Sequence, residues 1–537
     1  MEASARTRAE LGSGLTKLVR EDFLKEVADS REWDIVIVGG GATGLGAAVD
    51  AVSRGYRTLL LEAQDFAKAT SSRSTKLVHG GVRYLQQGNV KLVLEALRER
   101  GRMLRNAPHL AHRRAFVIPA YAYWELPFYG TGLTLYDLLA GREGIGRSRV
   151  LSVKGALDAL PSVRRSGLKG GILYYDGQFD DARYAITLLR TFVDLGGVAL
   201  NYSPVTGLLK RSSAVSGVIA QDHESGQTFE CQAKVVINST GVFSDTLRRL
   251  DDSQTEPVVA VSQGSHVVLP REFLPGNAAM MIPRTSDKRV LFAIPWHDAI
   301  VVGTTDDPVT EAAYEPRTML EERSFLIGHI ERFLGRKPSA LEIASVWSGQ
   351  RPLVRRESTV NTAAISRDHT ILISKSKLVT IIGGKWTTYR KMGEDVVDRA
   401  ASSSGLSAAP CRTAELRLHG WSSPNEAVNE WQRVYGADLP ELQGLASRDA
   451  ELRELLHPRL PFRKAEVVWA VRFEMARTIE DVLARRTRAL FLDSRAALEC
   501  APVVAALMKL ELKRDSRWEE EQLAAFRNVA QQYIWTD

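Results

Sequence analysis

The stretch from residue 33 to residue 62, WDIVIVGGGATGLGAAVDAVSRGYRTLLLE, constrains the fold more than any other part of the chain. Residues 34–38 are apolar and rich in β-branched side chains, which is typical of a buried parallel strand. Three glycines follow at Gly-x-Gly-x-x-Gly spacing, and these are Gly39, Gly41 and Gly44. In a βαβ unit the first permits a tight turn, the second lets the backbone approach a pyrophosphate, and the third lets helix and strand pack closely. The stretch therefore predicts a dinucleotide-binding unit.

The residues after the glycines complete this unit. A helix is predicted over 42–54, and its N-terminal amides, with Thr43 in the first turn, would face the phosphates of a bound dinucleotide. A second apolar strand, 58–61, ends in Glu62, which follows the third glycine by 18 residues. An acidic side chain at that distance can accept hydrogen bonds from a ribose. The pattern does not by itself distinguish FAD from NAD.

Composition limits the class of protein and its partners. A chain of 537 residues with 25% charged and 44% hydrophobic residues can form two or three globular domains. Its net charge of +7 favours an anionic partner, which could be a phosphorylated substrate, an anionic membrane surface or nucleic acid. The three cysteines are too far apart to indicate a disulfide framework or a zinc site, so no metal is expected. No apolar run reaches the ~18 to 20 residues of a spanning helix, and the acidic N-terminal segment is unlike a transit peptide.

Changes in pattern divide the chain into an α/β part, a strand-rich part and a helical part. No internal repeat is found. Two later segments show the same strand-and-helix pattern as the glycine-marked unit, which predicts that the nucleotide-binding domain is discontinuous in sequence. The strand-rich region between them predicts an antiparallel substrate domain. The predicted boundaries are 1–32 for an N-terminal extension, 33–110, 165–250 and 345–400 for the nucleotide-binding domain, 111–164 and 251–344 for the substrate or cap domain, and 411–537 for a C-terminal helical domain.

Nine motifs, in order along residues 33 to about 490, resemble one family. They are VGGGATGLGAAVDA, ATSSRSTKLVHGGVRYL, FDDAR, INSTGVFSD, GSHVV, IPWHD with GTTD, SGQRPL, GGKWTTYRKM and EDVLARRTR. The family comprises the FAD-dependent, membrane-associated glycerol-3-phosphate dehydrogenases, within the flavoprotein group that includes D-amino-acid oxidase. The resemblance implies a Rossmann-like FAD-binding domain with an α+β substrate domain. It also implies FAD as the cofactor, oxidation of sn-glycerol 3-phosphate to dihydroxyacetone phosphate, and a membrane quinone as electron acceptor.

The matched motifs supply candidate residues for substrate binding and catalysis. A phosphorylated polyol needs fixed cations, and arginine can bind phosphate oxygens bidentately. By similarity to the family, Arg83 with Tyr84, together with Arg351 and Lys385, would line the substrate pocket. Oxidation at C2 also needs a group that accepts the hydroxyl proton. His266 is the preferred base, with Arg351 and Lys385 as further catalytic residues; an ordinary structural histidine is the competing interpretation, and His79 in VHGG is a weaker candidate.

The same resemblance extends the cofactor site beyond the glycine-marked unit. Hydroxyl groups and turn amides of three further segments are expected to hold the phosphates, the adenosine half and the flavin ring. These residues are Ser71, Ser72, Ser74 and Thr75 in one loop, Thr240 and Gly241 after a strand, and Gly384, Lys385 and Thr387 at the start of a helix. A helix N-terminus favours negative charge, so it would stabilise a reduced flavin anion.

Delivery of electrons to a quinone requires contact with a membrane, although no spanning helix is predicted. The segment 113–142 contains seven aromatic residues between basic ones, which is typical of a headgroup interface. An aromatic core wall or a dimer contact is the alternative. The basic helix predicted over 90–106 could add attraction to an anionic membrane surface, although such charges often form a solvated face. We expect a peripheral homodimer on the cytoplasmic face of a bacterial inner membrane, with the cytoplasm as the alternative location. The calcium loop of the mitochondrial relatives is not found.

Three other functions are compatible with parts of the sequence. A glycerol-3-phosphate oxidase that reduces O₂ would share the same motifs. An NAD dehydrogenase is compatible with the glycine spacing alone, but the resemblance opposes it. A non-catalytic nucleotide-binding module that uses its positive charge for nucleic acid is the alternative from another class. No nucleic-acid-binding motif supports it, so no nucleic acid is expected as a partner.

Overall fold

The computed structural model describes most of the chain, namely residues 16–29, 32–81, 89–285, 287, 289–355, 369–423 and 428–536. The strands are β1 Trp33–Val38, β2 Thr58–Leu61, β3 Leu77–Val78, β4 Ala111–Ala120, β5 Arg149–Leu151, β6 Gly170–Phe179, β7 Val198–Leu200, β8 Val205–Arg211, β9 Ala214–Gln221, β10 Thr228–Asn238, β11 Val259–Pro270, β12 Ala279–Ile282, β13 Leu291–Trp296, β14 Ala299–Gly303, β15 Asp307–Val309, β16 Ser345–Val354, β17 His369–Ile373 and β18 Val379–Gly383.

The α-helices include the two predicted over 42–54 and 90–106. They are α1 Arg20–Ala28, α2 Ala42–Ser53, α3 Val90–Asn106, α4 Glu125–Ala140, α5 Val153–Ala159, α6 Asp181–Asp194, α7 Ser244–Asp251, α8 Leu320–Leu334, α9 Tyr389–Ser404, α10 Glu430–Arg433, α11 Leu439–Arg448, α12 Lys464–Glu474, α13 Ala489–Leu492, α14 Ser494–Leu512 and α15 Ser516–Ala530. Within the described ranges, none of them combines the length and apolarity that crossing a bilayer would require.

The first sheet contains the predicted βαβ unit. Its strand order is β17-β18-β10-β1-β2-β7, and the strands from β18 to β7 run parallel. In β1, Ile35 pairs with Val235 on one side and with Thr58 on the other, so β1 is an interior strand. The glycine turn therefore begins at the carboxyl end of a central strand. Open α/β sheets bind their ligands at this edge.

The second sheet has ten strands in the order β15-β11-β14-β13-β12-β4-β6-β3, with β16 beside β11 and β5 beside β6. Its strands pair antiparallel, except that β12 and β4 are parallel. This arrangement confirms the predicted combination of a Rossmann-like domain with an antiparallel substrate sheet.

Three strands lie in a different sheet from the one that their predicted domain implies. Strand β6, within the predicted segment 165–250, pairs with β4 in the second sheet, and β3, within the predicted segment 33–110, pairs with β6 there. Strand β16, at the start of the predicted segment 345–400, pairs with β11 in the same sheet. The substrate sheet therefore takes all three strands from segments assigned to the FAD-binding domain. An apolar run shows that a strand is buried, but its hydrogen-bond partners lie far away in sequence and leave no periodic signal.

The C-terminal helices contact both layers of the molecule, and the described residues beyond Cys411 form helices and turns with a single isolated bridge, as predicted. Val467 and Leu490 share a buried apolar cluster with Trp347 of the second sheet. Trp469 belongs instead to the cluster beneath the first sheet. The C-terminal domain thereby packs against the nucleotide-binding and the substrate domain at once.

Candidate active site

A cavity of about 290 Å³ lies at the carboxyl edge of the first sheet. Its walls bring together several segments that are far apart in sequence. Nine of the predicted cofactor residues line it, and these are Gly39, Gly41, Thr43, Glu62, Ser71, Thr240, Gly241, Gly384 and Lys385. The cavity therefore lies between the βαβ unit and the two later segments that the sequence assigns to the same domain, which contain Thr240 and Gly384.

The glycine turn has the geometry that close approach of a phosphate requires. Gly39 has φ +108°, and a Cβ atom there would lie 2.7 Å from the Ser239 carbonyl oxygen. A Cβ on Gly44 would lie 1.8 Å from the carbonyl oxygen of Gly39. Gly44 does not line the cavity, so its role in this structure is to let α2 pack against the turn. Only residues without a side chain fit at both positions.

The start of helix α2 forms one wall of the cavity. Gly41 occupies the N-cap position and supplies no side-chain cap. The amide of Ala42 donates to the hydroxyl of Ser71 over 2.9 Å, and the indole of Trp386 donates to the Ser71 carbonyl over 2.9 Å. These contacts hold the 70–72 turn and the 383–386 segment against the helix. The N-terminal amides and the helix dipole together favour an anionic group at this position.

Glu62 lies at the end of β2 and borders the cavity. Its carboxylate accepts hydrogen bonds from the amides of Gly40 over 2.6 Å and Gln64 over 2.8 Å, which fixes its orientation. Burial raises the pKa of this carboxyl group, while the amide hydrogen bonds oppose that shift. A dinucleotide fits this set of groups, because the cavity offers a glycine cradle, a helix N-terminus and an oriented acidic acceptor.

Besides Gly44, four predicted cofactor residues do not line the cavity. The hydroxyl of Ser74 donates to the buried carboxylate of Asp181 over 2.7 Å. The hydroxyl of Thr387 accepts from the amide of His79 over 3.2 Å. The other two are Ser72 and Thr75, which are buried or half-buried in the same loop. In this structure the contacts of Ser74 and Thr387 hold the loops behind the cavity wall.

His266 is buried in the substrate sheet. Its ring stacks on Trp347 with 4.0 Å between centroids, and Nε2 lies 2.9 Å from the Thr75 hydroxyl. Burial lowers the pKa of His266 well below its ordinary range, and the charges of Arg351 and Lys76 lower it further. The imidazole is therefore neutral near pH 7. A neutral imidazole has one nitrogen that can accept a proton.

The two cationic candidates among the described residues lie in different parts of the fold, with Arg351 in β16 of the second sheet and Lys385 after β18 of the first. Arg351 is partly buried, and its guanidinium donates to the Thr304 hydroxyl over 3.1 Å and to the Thr305 carbonyl over 3.2 Å. The next residue of the chain, Pro352, lines the cavity, as does Lys385. Arg83 and Tyr84 lie outside the described residues.

Besides Trp386, two aromatic residues of the cavity were not predicted as site residues from the sequence. Phe243 and Tyr314 both line it, and their ring centroids are 4.3 Å apart. Burial and the nearby charge of Glu62 raise the pKa of Tyr314 to about 12. Tyr314 belongs to a connection between β15 and α8, where no periodicity or motif marks it as a cofactor residue.

The fold and the cavity define the class of the protein, and the comparisons agree. Residues 34–390 match the family model described as FAD dependent oxidoreductase, and residues 374–522 match the one described as C-terminal domain of alpha-glycerophosphate oxidase. The L-alpha-glycerophosphate oxidase of Mycoplasma pneumoniae, solved with FAD bound, superposes with a TM-score of 0.55. It is 16% identical and covers 71% of this chain and 97% of its own, so it shares the fold. The chain is thus an FAD-dependent oxidoreductase with a C-terminal helical domain.

Relatives with higher identity narrow this class. The mitochondrial glycerol-3-phosphate dehydrogenase of Bos taurus is 39% identical over 95% of this chain and 74% of its own length. The glycerol-3-phosphate dehydrogenase of Bacillus halodurans, solved in complex with FAD, superposes with a TM-score of 0.78. Its identity is 27%, and the match covers 96% of this chain and 98% of that one. The chain belongs to the FAD-dependent glycerol-3-phosphate dehydrogenase family, and FAD is its cofactor.

Proposed function

We propose that this enzyme oxidises sn-glycerol 3-phosphate to dihydroxyacetone phosphate and passes the electrons to a membrane quinone. The observation that carries the proposal is the 39% identity to named glycerol-3-phosphate dehydrogenases over nearly the whole chain, including the segments that form the cavity. When bound, FAD accepts the hydride from C2 of the substrate. The protein must supply the phosphate-binding cations and a proton acceptor.

Arg351 and Lys385, with Arg83 and Tyr84, are the proposed substrate-binding residues. The Thr304 and Thr305 oxygens hold the guanidinium of Arg351 in one orientation before substrate arrives, which lowers the entropic cost of binding. Lysine is a compact cation that suits a phosphate dianion. Replacing Arg351 by Gln should raise KM for glycerol 3-phosphate about tenfold to a hundredfold, the usual cost of a charge-assisted hydrogen bond. An Arg459→Gln variant, altered at a half-exposed ion pair, is the matched control.

His266 is the proposed proton acceptor. Its Nε2 is engaged by the hydroxyl of Thr75, and Nδ1 has no hydrogen-bond partner among the described residues. If Nε2 carries the hydrogen, the lone pair is on Nδ1, and we propose that this nitrogen takes the proton of the C2 hydroxyl group. His266→Gln should lower kcat and remove the acidic limb of its pH dependence, because a base works only in its unprotonated form. Normal turnover with an unchanged pH profile would eliminate His266 as the base.

The substrate and the acceptor can be tested separately. Anaerobic addition of glycerol 3-phosphate to the holoenzyme should bleach the flavin absorbance, whereas glycerol should not, because it lacks the phosphate that the cations bind. Absence of bleaching would refute the substrate. Reoxidation of the bleached enzyme is then followed with quinone-containing vesicles and with O₂ alone. Fast reoxidation by O₂ with stoichiometric peroxide would support the oxidase alternative instead.

The proposed membrane contact is an apolar face of helix α4 and the turn before it. Tyr123, Trp124, Phe128 and Leu138 are 73%, 59%, 54% and 72% exposed. From Trp124 onward these positions, together with exposed Leu135, repeat at the spacing of one helical face. Not all aromatic residues of the predicted 113–142 segment belong to this exposed face, because Phe116 and Tyr136 are buried in the core.

Basic residues lie beside this apolar face and close to it in sequence, which favours an anionic lipid surface as its occupant. Lys169 lies 5.0 Å from the ring centroid of Tyr123. Val150 is 55% exposed and lies beside Gly130 of the helix, and its neighbour Arg149 is exposed. Three more exposed cations are close in sequence, namely Arg142, Arg147 and Lys154. Aromatic side chains among cations are typical of peripheral membrane attachment.

Helix α3 contributes less to this surface than its sequence indicates. Arg100 is buried and donates to Asp176 over 2.9 Å, while Arg102 and Arg105 form ion pairs with Glu99 and Glu143. These pairs neutralise much of the basic run within the protein. The lipid-binding charge is therefore proposed for the region around α4.

Vesicle sedimentation tests this surface. Half-exposed aromatic side chains gain about 1 kcal/mol each on entering the interface, so Trp124→Ser/Phe128→Ser should weaken binding to anionic vesicles roughly 30-fold. Leu341→Ser is the control, because Leu341 is 85% exposed but lies outside helix α4 and the turn before it. Unchanged sedimentation of the double variant would refute the surface. The cytoplasmic face of a bacterial inner membrane and a homodimeric state remain proposals, which cell fractionation and analytical ultracentrifugation test.

A further inference from the structure

The 311–315 segment of the substrate domain lies against the nucleotide cavity. Tyr314 in this segment lines the cavity, and its ring packs at a tilt against that of Phe243. The side chain of Gln350 accepts from the amide of Ala313 over 2.8 Å and donates to the carbonyl of Glu311 over 3.1 Å. These hydrogen bonds attach the segment to β16 of its own sheet. A ligand held in the cavity would therefore contact a wall that belongs to the substrate domain.

Arg73 ties this segment to the cofactor loop. Its buried guanidinium donates to the carbonyl of Tyr314 over 2.7 Å and to the carboxylate of Glu315 over 2.7 Å. The same guanidinium donates to the carbonyl of Lys68, which itself lines the cavity. Bonds from one planar guanidinium to several acceptors fix both the loop and the segment.

The C-terminal domain supplies two further groups to this cluster. The hydroxyl of Tyr533 accepts from Arg73 over 2.8 Å and donates to Glu315 over 3.0 Å. The ammonium of Lys68 lies 3.1 Å from Glu315 and also binds Glu480, which Arg485 holds over 2.7 Å. Tyr533 lies in the 3₁₀ turn Gln531–Tyr533, and Glu480 immediately precedes a π-helical turn.

The cluster is shielded from water, which makes its hydrogen bonds strong. The side chains of Arg73, Lys68 and Glu480 are 2%, 11% and 13% exposed. Burial opposes ionisation of Glu480, but Lys68 and Arg485 outweigh it and lower the pKa of this carboxyl group to about 2. A buried charge that loses one of its partners is strongly destabilised, so the cluster is sensitive to removal of a single group.

We propose that Tyr533 and Glu480 of the C-terminal domain act as a latch that keeps the 311–315 segment closed against the bound FAD and slows its release. Tyr533 and Glu480 are positioning residues, since they act through Arg73, Lys68 and Glu315. The inference depends on FAD binding and not on the identity of the substrate. It also assigns a role to the matched motif EDVLARRTR, whose first residue is Glu480.

The rate of FAD release from the holoenzyme tests the latch. Tyr533→Phe removes one hydroxyl group, and Glu480→Gln removes one charge while keeping the side-chain shape. Each change should accelerate release about tenfold, the effect of one lost hydrogen bond to a charged group, measured as the rise in free-flavin fluorescence without substrate. Glu315→Gln should have a similar effect, and its effect should not add to that of Tyr533→Phe.

A matched control separates the latch from general stability. Tyr435 is also a buried tyrosine of the C-terminal region, and its hydroxyl donates to Glu466 over 2.9 Å, away from the cofactor cavity. Tyr435→Phe should leave FAD release unchanged, and thermal unfolding of the apoproteins should be similar for the two tyrosine variants. Release at the wild-type rate from both Tyr533→Phe and Glu480→Gln would overturn the proposal. Equal acceleration by Tyr435→Phe would also overturn it, because the effect would then reflect general loosening.

Discussion

Replacing Gly44 by Ala should severely impair FAD binding, although it adds only one methyl group. Gly44 lies in α2, where alanine is favoured over glycine by about 1 kcal/mol of helix propensity. The new Cβ would lie 1.8 Å from the carbonyl oxygen of Gly39 and 2.7 Å from the hydroxyl of Ser239. The first distance is about half of ordinary van der Waals contact, and its partner is backbone that cannot rotate away.

The magnitude follows from these opposing effects. Overpacking in a close-packed site typically costs about 1–3 kcal/mol, and contact with backbone belongs at the upper end of that range. Once the gain in helix propensity is subtracted, Gly44→Ala should destabilise the contact between helix α2 and the phosphate-binding turn by about 2 kcal/mol. Because the turn must shift to relieve the overlap, this energy corresponds to a roughly 30-fold loss of FAD affinity.

Gly444 provides the matched control, because it lies within helix α11 and a Cβ there would meet nothing within 4 Å. Gly444→Ala should gain up to about 1 kcal/mol of stability and leave FAD binding unchanged. The ratio of flavin to protein after purification and the melting temperature of each holoenzyme measure both effects. A Gly44→Ala enzyme with full flavin occupancy and the wild-type melting temperature would refute the packing argument.

Two further predictions concern buried charges. Burial lowers the pKa of His419, but hydrogen bonds to Asp194 and Asp438 outweigh this effect and raise the pKa above its ordinary value. The stability that protonated His419 contributes is therefore fully present below about pH 6.5, and it is lost as the pH rises through the folded-state pKa. His419→Gln should therefore lower the melting temperature more at pH 6 than at pH 9, and an equal decrease at both would contradict this assignment. The ammonium of Lys76 lies 2.6 Å from the buried carboxylate of Asp181. Lys76→Met leaves this carboxylate without its cation, which should lower the free energy of unfolding by about 3–5 kcal/mol. Lys76→Met/Asp181→Asn should recover part of that loss, and a single variant that melts like wild type would show that the pair is not stabilising.

Local features could be predicted because neighbouring residues specify them. The strand over 34–38, the second strand over 58–61 and the helix over 90–106 all occur within one residue of their predicted bounds. Each depends on apolar spacing, on glycine conformational freedom or on helix capping, and these act over a few residues. The matched motifs also identified the family and the cofactor, and the strand-rich pattern predicted the antiparallel substrate sheet.

The sequence by itself thus determined the local elements named above, the cofactor class and nine of the residues that line the cavity. Only the tertiary structure decided that β6 and β16 join the substrate sheet, that Arg100 is a buried ion-pair partner, and that Tyr314 borders the cavity at the carboxyl edge of the first sheet. It also decided the contact between Arg73 and Tyr533, which are 460 residues apart. The physical reason is that spacing along the chain encodes backbone geometry and burial, whereas partners of strands, charges and cavity walls are set by long-range packing of the whole molecule.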